Sequence, residues 1–179
     1  MKDYKIKINY KKQDYYKLRH EIFTKERNWK GDFTENKFDK SATIYTGLDN
    51  QDNVVAGLRM DHSNINQNLM SNEIANSDFI YKKLLNKYKL PLESYSECND
   101  IVIHKDFRNS KLFYEMALKS LDECKKNKSK YLFCVGDKAC IRLYKTMFNK
   151  LKVGVFTVDK WSSLPEYNYS EDFILIGKL

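Results

Sequence analysis

The spacing of apolar residues changes repeatedly along the chain, and no other feature of the sequence constrains the fold as strongly. Residues 4–10 alternate between apolar and polar, which predicts a first β-strand. Residues 13–26 place apolar side chains at helical intervals, which predicts a helix. Residues 43–48 and 54–61 flank a cluster of turn residues at 49–53, and this arrangement predicts a β-hairpin.

The rest of the chain continues to alternate between the two kinds of spacing. Residues 28–42, before the hairpin, are typical of a long ordered loop. The elements predicted after the hairpin are a helix over 78–88, a strand over 94–104, a helix over 110–125, a strand over 130–135, a helix from Asp137, its N-cap, to 151, and strands over 153–158 and 173–176. Strands and helices that alternate after a hairpin predict an α/β fold, in which a mixed sheet carries helices on both faces.

The composition favours one compact domain over residues 1–179. The chain is 42% hydrophobic with 2 prolines and 6 glycines, so we expect a sizeable core and no long linker. The first residues lack the apolar core of a signal peptide, and no apolar run is long enough to span a bilayer. The 4 cysteines form no CxxC pair and have no histidines at metal-ligand spacing. These features predict a cytoplasmic protein with free thiols, no metal site and no membrane span.

The positive charge is concentrated in two parts of the chain. The net charge is +8, and residues 1–30 hold 10 Lys and Arg against 4 Asp and Glu. Residues 104–152 hold 13 against 5. Two basic blocks of this kind favour a partner that carries phosphate or carboxylate groups, although lysines that solvate helix faces give the same pattern. Both explanations stay open on charge alone.

Residues 104–113 combine a strand end, a basic turn and the start of a helix. Arg108, Asn109, Ser110 and Lys111 occupy the turn. Backbone N–H groups at a helix N-terminus, together with the helix dipole, can hold a pyrophosphate. This stretch resembles the acyl-donor loop of the GNAT superfamily of N-acyltransferases, although it lacks the glycines usual there. The resemblance implies that these four residues bind the donor.

A second stretch, residues 139–148, contains the neighbouring pair Leu143 and Tyr144 on a predicted helix. It resembles the GNAT helix whose tyrosine lies near the thioester sulfur. The two stretches together imply a GNAT-like mixed sheet whose central strands are splayed apart. They also imply a thioester co-substrate, carried either by coenzyme A or by an acyl-carrier protein, and no metal.

The first half of the chain is similar to the bacterial acyl-homoserine lactone synthases, also called autoinducer synthases. The matching residues, in chain order, are Arg19, Phe23, Trp29, Asp39, Arg59 and Glu97. Two positions depart from the pattern, because Ala42 stands where a second acidic residue is expected and Asp100 where an arginine is expected. The departures favour a sister enzyme, an N-acyl amino acid synthase or one that acylates a similar small amine, over a lactone synthase.

Glu97 and Tyr144 are the candidate catalytic residues. Glu97 would take a proton from the amine, directly or through water, and Tyr144 would protonate the leaving thiolate. Alternatively, Glu97 forms an ion pair that only sets the strand register, and Tyr144 is an ordinary core residue. Backbone N–H groups around Ile101 and Ile103 would polarise the thioester carbonyl.

The candidate substrate-binding residues are Arg19, Phe23, Trp29, Asp39 and Arg59. Arg19 shares an apolar helix side with Phe23, and an unpaired buried charge is costly, so we expect it to pair with Asp39 or Glu97. Arg59 is expected to pair with Glu97 on a neighbouring strand. Phe23 and Trp29 either wall the acyl or acceptor pocket or belong to the core.

The sequence therefore predicts an N-acyltransferase that moves an acyl group from a thioester to the amine of a small molecule. The basic block at 104–152 makes an acidic acyl-carrier protein a candidate partner. An acetyl-CoA-dependent GNAT acetyltransferase is the first alternative. A basic nucleic-acid-binding module is the second, although the sequence has no helix-turn-helix, zinc or RNA-binding signature.

Overall fold

The structure, a computed structural model, describes residues 3–63, 86–87, 89, 95–108, 110–161 and 172–179. Within these ranges the strands are β1 (Lys5–Ile8), β2 (Thr43–Leu48), β3 (Val54–His62), β4 (Tyr95–Ile103), β5 (Tyr131–Gly136), β6 (Gly154–Trp161) and β7 (Asp172–Lys178). They form one sheet in the order β1-β2-β3-β4-β5-β7-β6. The β4–β5 pair is parallel and the other pairs are antiparallel, which confirms the predicted mixed sheet.

The longer helices of the described residues are α1 (Lys12–Glu21), α2 (Leu112–Lys126) and α3 (Lys138–Lys150). Asp137 caps α3 as predicted, since its carboxylate accepts a hydrogen bond of 2.8 Å from the backbone N–H of Cys140. The helix predicted over residues 13–26 is α-helical only as far as Glu21, and Ile22–Glu26 forms a π-helical turn. The predicted loop at 28–42 contains a 3-10 turn, Lys37–Lys40. The helix predicted over 78–88 lies, apart from residues 86 and 87, outside the described residues.

The helices cover both faces of the sheet, as predicted. Successive strand residues point to opposite faces, so each strand contributes to two separate cores. One core lies under α1 and contains Tyr15 and Ile44. The other lies under α2 and α3 and contains Leu58, Leu121 and Phe148. None of the helices in the described part of the chain is long and apolar enough to cross a membrane.

Strands β4 and β5 pair over only part of their length. The parallel register runs from Tyr95 opposite Tyr131 to Cys98 opposite Cys134. Beyond that point β4 continues to Ile103 beside β3, while β5 continues to Gly136 beside β7. The central strands are therefore splayed, as the resemblance to the GNAT superfamily implies.

A bulge in β4 coincides with this separation. Gly57 and Arg59 on β3 are two residues apart, but their partners on β4 are Val102 and Asn99, so β4 has one extra residue. Asp100 lies inside the bulge with a φ of 54°. A bulge bends its strand, which turns the end of β4 away from β5 and opens the sheet.

Candidate active site

A cleft of about 440 Å³ opens where β4 and β5 separate. Its walls come from the end of β4, the π-helical turn, the start of α2 and the first half of α3. The residues that matter below are Arg27, Ile101, Ile103, Arg108, Phe113 and Cys140. Three predicted donor-site residues, Ile101, Ile103 and Arg108, thus lie in the wall of one cleft.

The basic turn before α2 adjoins this cleft, since Arg108 is one of the residues that line it. Arg108 donates a hydrogen bond of 3.1 Å from Nε to the backbone carbonyl of Ile103, and its guanidinium pairs with Glu26. Ser110 accepts a hydrogen bond of 3.2 Å from the backbone N–H of Leu112. Lys111 is exposed at the start of α2. The fourth predicted residue of this turn, Asn109, lies outside the described residues.

Tyr144 lies on α3 one turn beyond Cys140, and it is buried. It lines a small apolar cavity next to the cleft, together with Cys98 and Cys134. Burial, and then the neighbouring thiols of Cys134 and Cys98, raise the pKa of Tyr144 well above its ordinary value. The phenol therefore stays protonated at neutral pH, which is the state that a proton donor requires.

Glu97 lies on the other face of the sheet. It is fully buried on β4, opposite Asp61 of β3 and Phe133 of β5, and directly before Cys98. Its carboxylate accepts a hydrogen bond of 3.1 Å from the side chain of Asn99. Because neighbouring strand residues point to opposite faces, Glu97 and the Cys98–Tyr144 side flank the point of strand separation from opposite sides.

A group of buried charges lies between α1 and the sheet. This ion cluster consists of Arg19, Asp39, Arg59, Asp61 and Asp100. Arg19 binds Asp39 through both guanidinium ends, at 2.9 and 2.6 Å, which confirms the first of its two predicted partners. Burial alone would raise the pKa of Asp39, but the hydrogen bond and charge of Arg19, the charge of Arg59 and a backbone hydrogen bond from Asn36 together outweigh it and hold that pKa below its ordinary value.

Arg59 differs from the prediction in its partners. We expected it to pair with Glu97, but its ion pairs run to Asp100 at 2.9 Å and to Asp61 at 3.2 Å. Asp100 also binds Arg19 at 2.9 Å, so one carboxylate joins both arginines. The bulge explains this arrangement, because its extra residue changes which β4 side chain reaches the cluster. The sequence feature that could have predicted these ion pairs of Arg59 is Asp100 itself, which departs from the synthase pattern.

The two aromatic candidates pack together near the cleft. The rings of Phe23 and Trp29 are 4.6 Å apart, and Phe23 is buried. The guanidinium of Arg27 lies 5.0 Å from the centre of the Trp29 ring. Phe23 and Trp29 thus pack against Arg27, which lines the cleft.

Sequence reasoning missed Arg27 itself. Its Nη1 atom donates to the thiol of Cys140 at 3.0 Å and lies 3.5 Å from the carboxylate of Asp137. These contacts join the end of the π-helical turn to the start of α3 across 113 residues of chain. A contact between such distant residues leaves no local pattern in the sequence.

The described residues contain no group of side chains suited to hold a metal ion, and the 4 cysteines are free. What the arrangement offers chemically is a cleft for a narrow chain. The buried phenol of Tyr144 lines the small cavity that shares Ile101 and Phe113 with this cleft, and the buried carboxylate of Glu97 lies on the opposite face of β4.

Comparison with known proteins shows which solved structures share this architecture. No protein-family model and no curated protein sequence matches the chain. Among solved structures, FeeM, an N-acyl amino acid synthase from uncultured soil microbes, is similar with a TM-score of 0.72 at 10% identity, over 99% of this chain and 92% of that one. The CoA-dependent acyl-homoserine lactone synthase BjaI, solved with MTA, has a TM-score of 0.66 at 15% identity, over 98% and 83% of the two chains.

A GNAT-family acetyltransferase from Staphylococcus aureus Mu50 is also similar, with a TM-score of 0.57 at 13% identity, over 96% and 98% of the two chains. Likeness at such identities establishes a fold and leaves the reaction to be argued from the site. The chain has the GNAT fold, in the form shared by acyl-homoserine lactone synthases, an N-acyl amino acid synthase and GNAT acetyltransferases.

Proposed function

We propose that the protein is an N-acyltransferase that moves an acyl group from a thioester to the amine of a small molecule. The observation that carries this proposal is the separation of β4 and β5 after Cys98 and Cys134, with a cleft of about 440 Å³ at that point. The pantetheine arm of a thioester donor is long, narrow and partly apolar, and such a cleft suits it. Glu97 and Tyr144 flank the place where its carbonyl would lie.

The reaction proceeds by direct transfer. The amine nitrogen attacks the thioester carbonyl, a C–N bond forms, and the amine proton passes to Glu97 or to a water that Glu97 holds. Backbone N–H groups of the bulged segment around Ile101–Ile103 stabilise the negative charge that develops on the carbonyl oxygen. The C–S bond then breaks, and Tyr144 gives its proton to the departing sulfur.

The acceptor is an amino acid or a similar small amine. The synthase resemblance leads one to expect an arginine where this chain has Asp100, and that carboxylate is bound by Arg19 and Arg59. Arg19, Asp39 and Arg59 therefore hold one another in place between α1 and the sheet. This is the side of β4 on which we expect the acceptor to bind. A changed cluster at this position favours an acceptor other than S-adenosylmethionine and a product that is not a lactone.

The donor's charged end lies at the rim of the cleft. Arg108 lines the cleft and Lys111 is exposed three residues further along the chain, both within the basic block of residues 104–152. They suit either the phosphates of coenzyme A or the acidic surface of an acyl-carrier protein. The likeness to a GNAT-family acetyltransferase supports acetyl-CoA as an alternative donor.

A donor-by-acceptor screen tests the proposal. The purified full chain is incubated with acetyl-CoA, octanoyl-CoA or octanoyl-carrier protein and with each of a set of amino acids and small amines. Release of free thiol and the mass of the N-acylated product are measured. We expect thiol release that depends on the amine. Mass spectrometry of lipid extracts from overexpressing cells identifies the natural product as a new N-acylated amine.

The screen also has an outcome that overturns the proposal. If no donor is consumed with any amine, and the protein binds random DNA in a salt-sensitive manner, the nucleic-acid module is the better description.

A further inference from the structure

Arg27 lines the cleft, and the reaction proposed above gives it no role. We infer that its guanidinium binds a carboxylate group of the acceptor, so that the protein selects amines that carry a carboxylate next to the amine. The inference rests on the proposed function and adds to it the residue that recognises the acceptor.

The charge of Arg27 is only partly balanced. The charged residues among those that line the cleft are Glu26, Arg27 and Arg108, and the others are apolar or neutral. Glu26 and Arg108 pair with each other, so their charges cancel. Arg27 lies 3.5 Å from the carboxylate of Asp137, at the long limit of a hydrogen bond, and that carboxylate also accepts the capping N–H of Cys140. An anionic group in the cleft would therefore be attracted to Arg27.

Part of the guanidinium of Arg27 remains available for a ligand. Within the described ranges its hydrogen bonds run from Nη1 to Cys140 and Asp137, and none of them involves Nε or Nη2. A guanidinium has N–H donors on each of its nitrogen atoms and can bind both oxygens of a carboxylate at once. The side chain is 29% exposed, so a ligand in the cleft can reach these donors.

Neighbouring side chains hold the guanidinium in place. It lies 5.7 Å from the centre of the Phe23 ring and 5.0 Å from that of the Trp29 ring, and it donates to the thiol of Cys140 at 3.0 Å. These three partners are uncharged, so they position the guanidinium without neutralising it. A group that is ordered before a ligand arrives loses less entropy when it binds that ligand.

The position of Arg27 suits an amine with a carboxylate beside it. Arg27 contacts Cys140, and Tyr144 follows one turn later on α3, about 6 Å along the helix axis. A single carbon atom separates the amine from the carboxylate in an α-amino acid. An amine that attacks the thioester carbonyl next to Tyr144 therefore places its carboxylate within reach of Arg27.

Arg27 also approaches the cleft from the side of Glu97. Cys98 belongs to the core under α2 and α3, so the preceding residue, Glu97, points to the face that α1 covers. Arg27 directly follows the π-helical turn that continues α1, and it packs against Phe23 in the core under α1. A carboxylate bound by Arg27 is thus on the side of the sheet from which Glu97 would take the proton of the amine.

Acceptors that differ only in the carboxylate test the inference. The full chain is given the best thioester donor from the screen, together with alanine, leucine, phenylalanine or glutamine, each compared with the amide of the same amino acid. We expect a higher kcat/KM for the amino acid than for its amide. The amide also changes the reactivity of the amine, so the acid-to-amide ratio of kcat/KM is compared between variants, where this difference cancels.

Three variants separate recognition of the carboxylate from a purely structural role. Arg27→Met should lower the acid-to-amide ratio about 10- to 100-fold, mainly by raising KM for the amino acid. Arg27→Lys keeps the charge but not the paired N–H donors, so its ratio should lie between those of Arg27→Met and the wild type. Lys25→Met removes an exposed positive charge from the same turn and should leave the ratio unchanged.

The same variants distinguish the acceptor from the donor as the source of the anionic group. If Arg27 binds a phosphate of the donor, Arg27→Met raises KM for the donor and slows transfer to amino acids and amides alike. A structural role also slows both alike. Either result overturns the inference, and so does transfer by the wild type to amides as fast as to amino acids.

A further variant covers the case in which Arg27→Met does not fold. Asp137→Asn keeps an N-cap residue on α3 and removes the negative charge beside Arg27. It should raise the acid-to-amide ratio by about 2-fold or more, because the guanidinium loses a competing carboxylate. An unchanged or lower ratio in this variant would contradict the assignment of Arg27.

A binding measurement tests the inference without turnover. The rise in melting temperature of the full chain is measured with the N-acetyl derivatives of the four amino acids and with the N-acetyl derivatives of their amides. We expect a larger rise with the acids in the wild type and equal rises in Arg27→Met. Absence of transfer from every donor counts against the proposed function, whereas equal rises with acids and amides in the wild type refute the role of Arg27.

Discussion

The carboxylate of Asp100 accepts a hydrogen bond of 2.9 Å from the guanidinium of Arg19, which lies 81 residues earlier in the chain. The backbone carbonyl of Asp100 accepts a second bond, of 2.9 Å, from the hydroxyl of Tyr15 on the same helix. Asp100 therefore ties α1 to the bulge of β4 at the edge of the cleft. The shape of the cleft depends on this contact, because the bulge sets where β4 leaves β5.

Replacing Asp100 with asparagine should destabilise the protein by about 3 kcal/mol, since it leaves the buried Arg19 and Arg59 short of one shared carboxylate. Urea unfolding followed by circular dichroism measures the change. Asp106→Asn, at an exposed aspartate, is the control and should stay within about 0.5 kcal/mol of the wild type. A loss at position 100 as small as that of the control would show that the ion cluster does not hold α1 to the sheet.

The elements that local signals specify were predicted well. The hairpin strand Thr43–Leu48 has the predicted bounds, because alternation and a turn cluster mark both of its ends. The start of α3 follows from Asp137, whose side chain caps it. The cost of an unpaired buried charge required a carboxylate partner for Arg19, and Asp39 was one of the two candidates. In each case a few neighbouring residues, or one strong energetic requirement, carry the information.

Features that depend on distant residues were not predicted. The π-helical turn Ile22–Glu26 has the same apolar spacing as the α-helix before it, so the sequence pattern does not separate the two. The contact of Arg27 with Cys140 and the positive φ of Asp100 exist because strands and helices far apart in the chain meet at the cleft. These two features shape the site, which explains why the fold was easier to predict than the site.

Glu97→Gln should lower turnover by roughly 10²- to 10⁴-fold, because the amide keeps the shape of the carboxylate but does not accept the amine proton. The free energy of unfolding should change far less than turnover does. Steady-state kinetics with the best donor and amine from the screen provide the measurement. Glu21→Gln, at an exposed position on α1, is the matched control. Wild-type turnover in the Glu97→Gln protein would remove Glu97 from the mechanism.

Tyr144→Phe should lower kcat by roughly 10- to 100-fold and leave KM for the donor nearly unchanged, because the hydroxyl acts on the departing sulfur. Burial raises the pKa of Tyr144, so the wild type should show no loss of activity from deprotonation of this phenol up to about pH 10. A pH–rate profile of both proteins tests this point. Tyr114→Phe on α2 is the control. An alkaline fall in rate that appears only in the wild type below that pH would contradict the assignment.

His62 should make the protein less stable as the pH falls below about 6.5, the ordinary pKa of a histidine. Burial lowers the pKa of His62 in the folded state, where its ring lies 2.6 Å from the hydroxyl of Ser96. The unfolded chain therefore takes up the proton first, and the free energy of unfolding decreases with decreasing pH. The loss of stability due to His62 begins at higher pH than the loss due to Asp39. The pKa of Asp39 is lowered, so its contribution to the free energy of unfolding is lost only in strong acid.

Urea unfolding at pH values between 8 and 5 measures this dependence. The slope of the unfolding free energy against pH should become flatter in His62→Gln and stay as in the wild type in His104→Gln, at a more exposed histidine. Equal slopes in the wild type and His62→Gln would show that the buried imidazole does not control stability over this range. If His104→Gln alone flattened the slope, the acid sensitivity would not come from the buried imidazole of His62.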